Sequence, residues 1–178
     1  MKRFLCSYLV LFYWASQAQQ KWVIESENSF ITYEASHFLH DWSGANQNVK
    51  GLIIENNGIF QKIAIAMYVR DFDSKNSNRD NNALEILQVL KFPKIEFFSN
   101  EIDLEDNTLI FLGGLNFHGI ELKKMITSKF KINENKLLLE GSFDLNLTDF
   151  KVPLPSFMLR KMEDEIAINY ELRFQRIE

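Results

Sequence analysis

Residues 120–147 read IELKKMITSKFKINENKLLLEGSFDLNL. Ile120, Leu122, Ile126, Phe130 and Ile132 share one parity, while Lys123, Thr127, Lys129 and Lys131 share the other. Past Asn133-Glu134-Asn135 the alternation resumes, with Leu137, Leu139, Phe143, Leu145 and Leu147 set against Glu140, Ser142, Asp144 and Asn146. Residues 165–174 repeat it: Ile166, Ile168, Tyr170, Leu172 and Phe174 oppose Glu165, Asn169, Glu171 and Arg173. A period of two describes strands with one face in water and one in an apolar space. Runs of about ten residues joined by short turns are long for a sandwich and suit a closed barrel.

The rest of the chain extends this pattern. A strand from Trp22 bends near Ser26–Ser29 and continues as Phe30–Phe38. Residues 39–47, with Asp41, Ser43, Gly44 and Asn46, read as a loop. Strands at 48–55 and 59–70 flank Asn56-Asn57-Gly58, a strong hairpin signal. Ala83, Leu84, Ile86, Leu87 and Leu90 recur at helical spacing, which predicts one short helix over about 80–91. Asn82 and Glu85 would form its capping box, and Pro93 would end it. Strands follow at 94–102, 108–117, 119–132, 136–147 and 165–175, with an irregular, lid-like segment at 148–164. The expected fold is all-β: an eight-stranded antiparallel barrel with one helix, as a single domain over 19–178.

The N-terminus reads differently. Lys2 and Arg3 precede a short apolar run, Phe4 to Trp14, and then Ser16-Gln17-Ala18. A basic start, an apolar core too short to span a bilayer, and small residues before the cut describe a secretory signal peptide over 1–18. Cleavage after Ala18 leaves Gln19 as the mature start and implies a periplasmic or secreted protein. The lone Cys6 leaves with the signal, so the mature chain has no disulfide and no thiol nucleophile. Loss of Lys2 and Arg3 moves the formal charge from −4 to −6, which argues against nucleic acid and against electrostatic docking on anionic lipid. Of 16 Phe, only Phe4 and Phe12 leave with the signal, so an unusual share of the mature chain is aromatic side chain without a polar handle.

Chemistry-bearing residues are sparse. His37, His40, Asp41 and His118 are the candidate metal or catalytic set, but their spacing does not promise the three converging ligands that zinc needs. They read as polar residues at a barrel mouth, with no metal and no cofactor expected. Ser43 and Ser142 lack the strand–turn–helix context of a nucleophile elbow. The acidic groups Asp103, Glu105, Asp106 and Glu163, Asp164, Glu165 fall at turns as solvated caps. Gly113-Gly114 lies inside a strand, where it marks a bend or a close backbone approach.

Several stretches together resemble the YceI-like family of exported, lipocalin-like barrels associated with polyisoprenoid and related lipids. Trp22-Val23-Ile24 with Ser29-Phe30-Ile31 looks like its opening strand, and His37 to Gly51 like its next segment. Arg79-Asp80 ahead of Leu84 and Leu87, then Lys91-Phe92-Pro93-Lys94-Ile95-Glu96-Phe97, resembles its central stretch. Gly114-Leu115-Asn116-Phe117-His118-Gly119 resembles its histidine–glycine strand end. The chain departs from the pattern at Asn82, at Glu121-Leu122 and at Asp149-Phe150-Lys151-Val152, as a divergent member would.

The resemblance implies a non-enzymatic carrier of a hydrophobic small molecule, an isoprenoid or acyl lipid. Its partners would include neither nucleic acid nor stable membrane insertion, with a homodimer left open. The tail would lie against Phe97, Phe111, Phe117, Ile126, Phe130, Leu139, Phe143 and Tyr170. The head would lie near the 148–164 segment or near His37 and His118. An eight-stranded barrel either fills its interior with side chains or holds one small ligand, and alternation alone does not separate the two. Nor does it separate a barrel in water from an eight-stranded outer-membrane barrel, whose apolar face points outward. A lipid-modifying enzyme is the third reading, without a recognisable catalytic set.

Overall fold

The alternation closes on itself. The computed structural model describes residues 19–177; the expected signal peptide lies outside the described residues. The strands are β1 (Gln20–Ile24), β2 (Phe30–His37), β3 (His40–Asn46), β4 (Lys50–Asn56), β5 (Ile59–Tyr68) and β6 (Phe72–Asp73). Helix α1 (Ser77–Ile86) follows, then β7 (Lys94–Glu105), β8 (Thr108–Phe117), β9 (Ile120–Asn133) and β10 (Lys136–Asn146). A small hairpin of β11 (Ser156–Phe157) and β12 (Arg160–Lys161) precedes the last long strand, β13 (Glu165–Ile177).

Antiparallel pairing runs β1-β4-β5-β7-β8-β9-β10-β13, and β13 returns to β1. That ring is a closed eight-stranded barrel. Two staves are bent rather than straight. β1 and β2 form one stave, broken by a 3-10 turn at Ser26–Asn28, and β3 and β4 form its neighbour. The two bends are tied together by Ser26, whose Oγ donates to Val49 O at 2.7 Å. The bend lets β13 pair with β1 at one end of the barrel and with β2 at the other.

Two expectations from the sequence are corrected. Residues 40–46 are not a loop but strand β3, paired with β2 from His37↔His40 to Ile31↔Asn46. Its turn-forming residues serve packing: Gly44 lies under the Tyr33 ring, where a Cβ would collide, and Asn46 donates to Tyr68 O at 3.0 Å. The helix starts and stops earlier than 80–91. Asn76, not Asn82, is its cap, accepting from Arg79 N at 3.1 Å. It ends before Gln88, whose φ is +47°, so Leu90 leaves the helical stripe and is fully exposed.

The two barrel ends differ. At the end carrying the 57–58, 106–107 and 134–135 turns, Trp22 and Phe174 are wholly buried. Trp22 Nε1 donates to Glu55 at 2.7 Å, and the Arg176 guanidinium lies 4.3 Å from the Trp22 ring. Phe60 and Phe130 meet edge-to-face across the same end, 6.4 Å between centroids. That end is sealed. At the other end α1 and residues 147–164 fold over the barrel.

Candidate functional site

Inward-facing side chains do not fill the barrel. They enclose a cavity of about 800 Å³ that runs from the middle of the barrel to α1 and Pro153–Ser156. A void of that size is within the range of small-molecule sites, and its wall is nearly all hydrocarbon. Phe97, Phe111, Phe117, Ile126, Leu139, Phe143 and Tyr170 all line it, as does His37 at its mouth. Strand parity places them there: each lies on the inward face of a strand whose alternate residues face water.

Two residues expected in the site lie elsewhere. Phe130 is on the inward face but near the sealed end, packed on Phe60 below the cavity. His118 occupies the β8–β9 turn with φ +51°, and its Nδ1 donates to Phe150 O at 3.0 Å. Its ring meets that of Phe92 edge-to-face, 4.6 Å between centroids. It clamps the start of the covering segment and does not line the cavity. His37 Nε2 donates to Arg160 O at 3.2 Å, fastening the β11–β12 hairpin to β2. His37 and His40 rings are 6.3 Å apart, and among the described residues no three His, Cys, Asp or Glu side chains gather as a metal ion requires.

Tyr170 has two functions in the wall. Its ring crosses β10 above Gly141, where any Cβ would collide with it and would sit 2.8 Å from Thr127 O. Its hydroxyl exchanges a hydrogen bond with Ser128 Oγ and donates to Thr127 O at 3.2 Å. This bridge stands where the β9–β10 ladder stops, at Glu140↔Lys129. Beyond it the strands part, and Lys124 Nζ reaches across to Asp144 O at 2.5 Å beside the Phe143 ring. Burial pushes the Tyr170 phenol above its ordinary pKa.

The mouth holds groups that strand parity did not single out. Trp42 enters the lining because β3 is a strand, and Ile63, Ile65 and Met67 enter from β5. The period of two in 59–68 was the signal for the last three. Helix α1 contributes Asn78, Arg79 and Asn82, with the Arg79 guanidinium 5.5 Å from the Trp42 ring. Asp80 is turned to Ser74 N at 3.1 Å. Burial, and then the Asp80 charge, raise the Tyr33 phenol above its ordinary pKa.

The covering segment is firmly built. Leu147 N and Thr148 N donate to Asp164, at 3.0 and 2.9 Å, closing a loop whose Phe150, Val152 and Met162 are buried. Glu163 N donates to Ser36 O at 2.9 Å, joining it to β2.

Comparison with known proteins agrees with this geometry. The chain is 23% identical over 141 residues to a UPF0312 protein of Enterobacter sp. (strain 638), covering 72% of each. It is 24% identical over 149 residues to a UPF0312 protein of Yersinia enterocolitica, covering 78% of each. Among solved structures, Burkholderia cenocepacia BcnA superposes with a TM-score of 0.76 at 14% identity, over 84% of this chain and 98% of that one. A polyisoprenoid binding domain from Saccharophagus degradans gives 0.71 at 7% identity, over 86% and 97%. At such identities the structures establish a shared fold. The sequence itself matches the family model of the YceI-like domain over residues 22–174, so this chain belongs to the YceI-like family.

Proposed function

We propose that this protein is an exported carrier that holds a long-chain hydrophobic ligand, a polyisoprenoid, quinone or acyl lipid, inside its barrel. The observation that carries this reading is the 800 Å³ cavity, walled mostly by apolar side chains on the inward faces of the strands, with polar groups gathered at its mouth around α1, His37 and Ser156 and only Ser128 with the Tyr170 hydroxyl deeper in. Each methylene moved from water into such a wall contributes about 0.8 kcal/mol, so a long tail binds with few polar contacts. Family membership supports it, as does the shared fold with a polyisoprenoid binding domain. The tail would lie between Phe97, Phe111, Phe117 and Phe143, and the head beside Arg79, Asn82 and His40. His118 takes no part beyond holding the cover.

The outward faces favour a barrel in water over one in a membrane. Lys123, Thr127, Lys129 and Lys131 are exposed on β9, where a membrane barrel needs an apolar band. Among the described residues no helix is long and apolar enough to cross a bilayer. Export follows from the Lys2-Arg3 start and Ser16-Gln17-Ala18, and N-terminal sequencing of exported protein should begin at Gln19. The wall offers a ligand hydrocarbon rather than a nucleophile with its base, which supports binding rather than catalysis.

The test is extraction of the purified protein with organic solvent, followed by mass spectrometry. A prenyl, quinone or acyl lipid in near-stoichiometric amount is expected. Extracts without lipid, together with no thermal shift from geranylgeraniol, ubiquinone or palmitate, would leave a purely structural barrel.

A further inference from the structure

Two hairpin turns at the cavity end differ in chemistry from the β8–β9 turn at the same end, His118-Gly119, and from every turn at the sealed end. At the sealed end the turns are Asn57-Gly58, Asp106-Asn107 and Glu134-Asn135, the polar residues that tight turns favour. At the cavity end, two adjacent two-residue turns carry Phe38-Leu39 and Met158-Leu159. Phe38 and Leu39 are 48% and 50% exposed, and Met158 and Leu159 are 69% and 103% exposed. The hairpins are fastened side by side: His37 bonds Arg160 O, and the Arg160 guanidinium lies 4.6 Å from the Phe38 ring.

The second turn departs from ordinary chemistry in its backbone as well. Met158 and Leu159 have φ of +50° and +64°, a conformation in which Asn-Gly is at ease and bulky residues are strained. Two large apolar side chains are therefore displayed to solvent at a position where neither hydration nor backbone preference favours them. Strain of this kind is retained where surrounding structure or function demands it.

We propose that these two tips are a membrane-docking element, which inserts Phe38, Leu39, Met158 and Leu159 shallowly into a lipid bilayer while ligand passes through the cavity mouth. The inference rests on the lipid-carrier reading of the cavity. Three features select a bilayer as the occupant. The tips rise from the rim of the cavity, so they are continuous with the proposed lipid site. They are two narrow projections, which enter a fluid interface more readily than they cover the roughly 800 Å² per partner of a stable protein contact. Arg160 and Lys161 flank the second tip, where their heads meet phosphate while their stems lie along the apolar zone. Of the acids next to the two hairpins, the Asp41 carboxylate accepts from Ser36 Oγ at 2.5 Å, and Glu163 lies two residues past Lys161, its backbone N–H bonded to Ser36 O. Contact is thus driven by the apolar tips and not by the net charge of the chain, which is negative.

The test compares the protein lacking residues 1–18 with its Met158→Asn/Leu159→Gly variant, by flotation with vesicles of phosphatidylcholine alone and of phosphatidylcholine with one-fifth phosphatidylglycerol. The variant installs the preferred turn sequence, so its melting temperature should rise by about 2–4 °C. Its vesicle binding should fall by about tenfold or more. Displacement of N-phenylnaphthylamine by geranylgeraniol, measured without vesicles, should be the same in both proteins. Equal flotation of the two proteins, or no flotation of the wild type, would overturn the docking assignment while leaving the carrier reading intact if geranylgeraniol still displaces the probe. A wild-type dimer that the variant abolishes, without vesicle binding, would also overturn it and assign the tips to self-association. Loss of flotation in the variant when neither protein binds the probe would uphold docking and remove the carrier reading.

Discussion

Two phenylalanines on neighbouring inward faces separate the cavity from the core beneath it. Phe143 lines the cavity, whereas Phe130 packs on Phe60 near the sealed end. Phe143→Trp should displace about two methylenes of ligand, at about 0.8 kcal/mol each, lowering affinity for geranylgeraniol by about tenfold with little change in stability. Phe130→Leu should do the reverse, costing about 1–2 kcal/mol in urea unfolding and leaving affinity unchanged. If the two variants behave alike, the cavity does not end where the structure places it. Tyr170 makes a third case, because it is both wall and strap. Tyr170→Phe keeps the ring but removes the hydroxyl that joins Ser128 and Thr127, and should cost about 1–2 kcal/mol. Burial raises this phenol's folded pKa above the unfolded value of about 10. Its contribution is therefore full below about pH 10 and is lost as pH rises above that. Alkaline unfolding followed by phenolate absorbance should show the wild type losing stability faster than Tyr170→Phe in that window.

Elements differ in how firmly they are held, and in how well their sequences announced them. Helix α1 has no buried residue, although several of its side chains line the cavity mouth. Strands β10 and β13, by contrast, pair over their whole shared length. Hydrogen exchange should therefore release the α1 amides well before those of β10 and β13, and Asn76→Ala, which removes the cap at a cost of about 1 kcal/mol, should widen the gap. Exchange of α1 on the barrel's timescale would mean that it is not a separately moving cover. The position of its apolar residues also explains why its limits were hard to read: Ala83, Leu84 and Ile86 all fall in its last turn, so with Leu87 and Leu90 they suggested a helix further along the chain, which the turn at Gln88 breaks. Strand β3 was hidden for another reason. Gly44 and Asn46 look like turn residues, but one makes room for Tyr33 and the other bonds Tyr68 O, contacts that exist only once β2, β3 and β5 have come together. The strands that dominate the wall were legible because alternation needs only local order, and their parity placed Phe97, Phe111, Phe117 and Phe143 inside.

For the whole molecule, parity says which way a side chain points but not how high along the barrel it sits. That depth depends on the pairing of all eight strands, which is why Phe130 looked equivalent to Phe143 and why His118 looked like a mouth residue rather than a clamp. The same depth decides stability, since a ligand that binds only the closed barrel stabilises it by mass action. At a free concentration one hundred times its dissociation constant, a lipid adds about 2.7 kcal/mol. For a barrel of this size that corresponds to a rise in melting temperature of about 5–11 °C. Geranylgeraniol or a comparable chain should produce this shift in the protein once any co-purified lipid has been removed. Phe143→Trp should need about tenfold more ligand for the same shift, while Met158→Asn/Leu159→Gly should respond as the wild type does, from a higher starting temperature. A rise that is equal in all three would mean that the lipid binds outside the cavity. Because Phe143 and the Met158-Leu159 turn lie on different elements with no shared hydrogen bond, the effects of the two changes should simply add in the combined variant. A large departure from additivity would show that the tips and the cavity act as one unit, with docking and loading coupled through the hairpin that His37 fastens to the barrel.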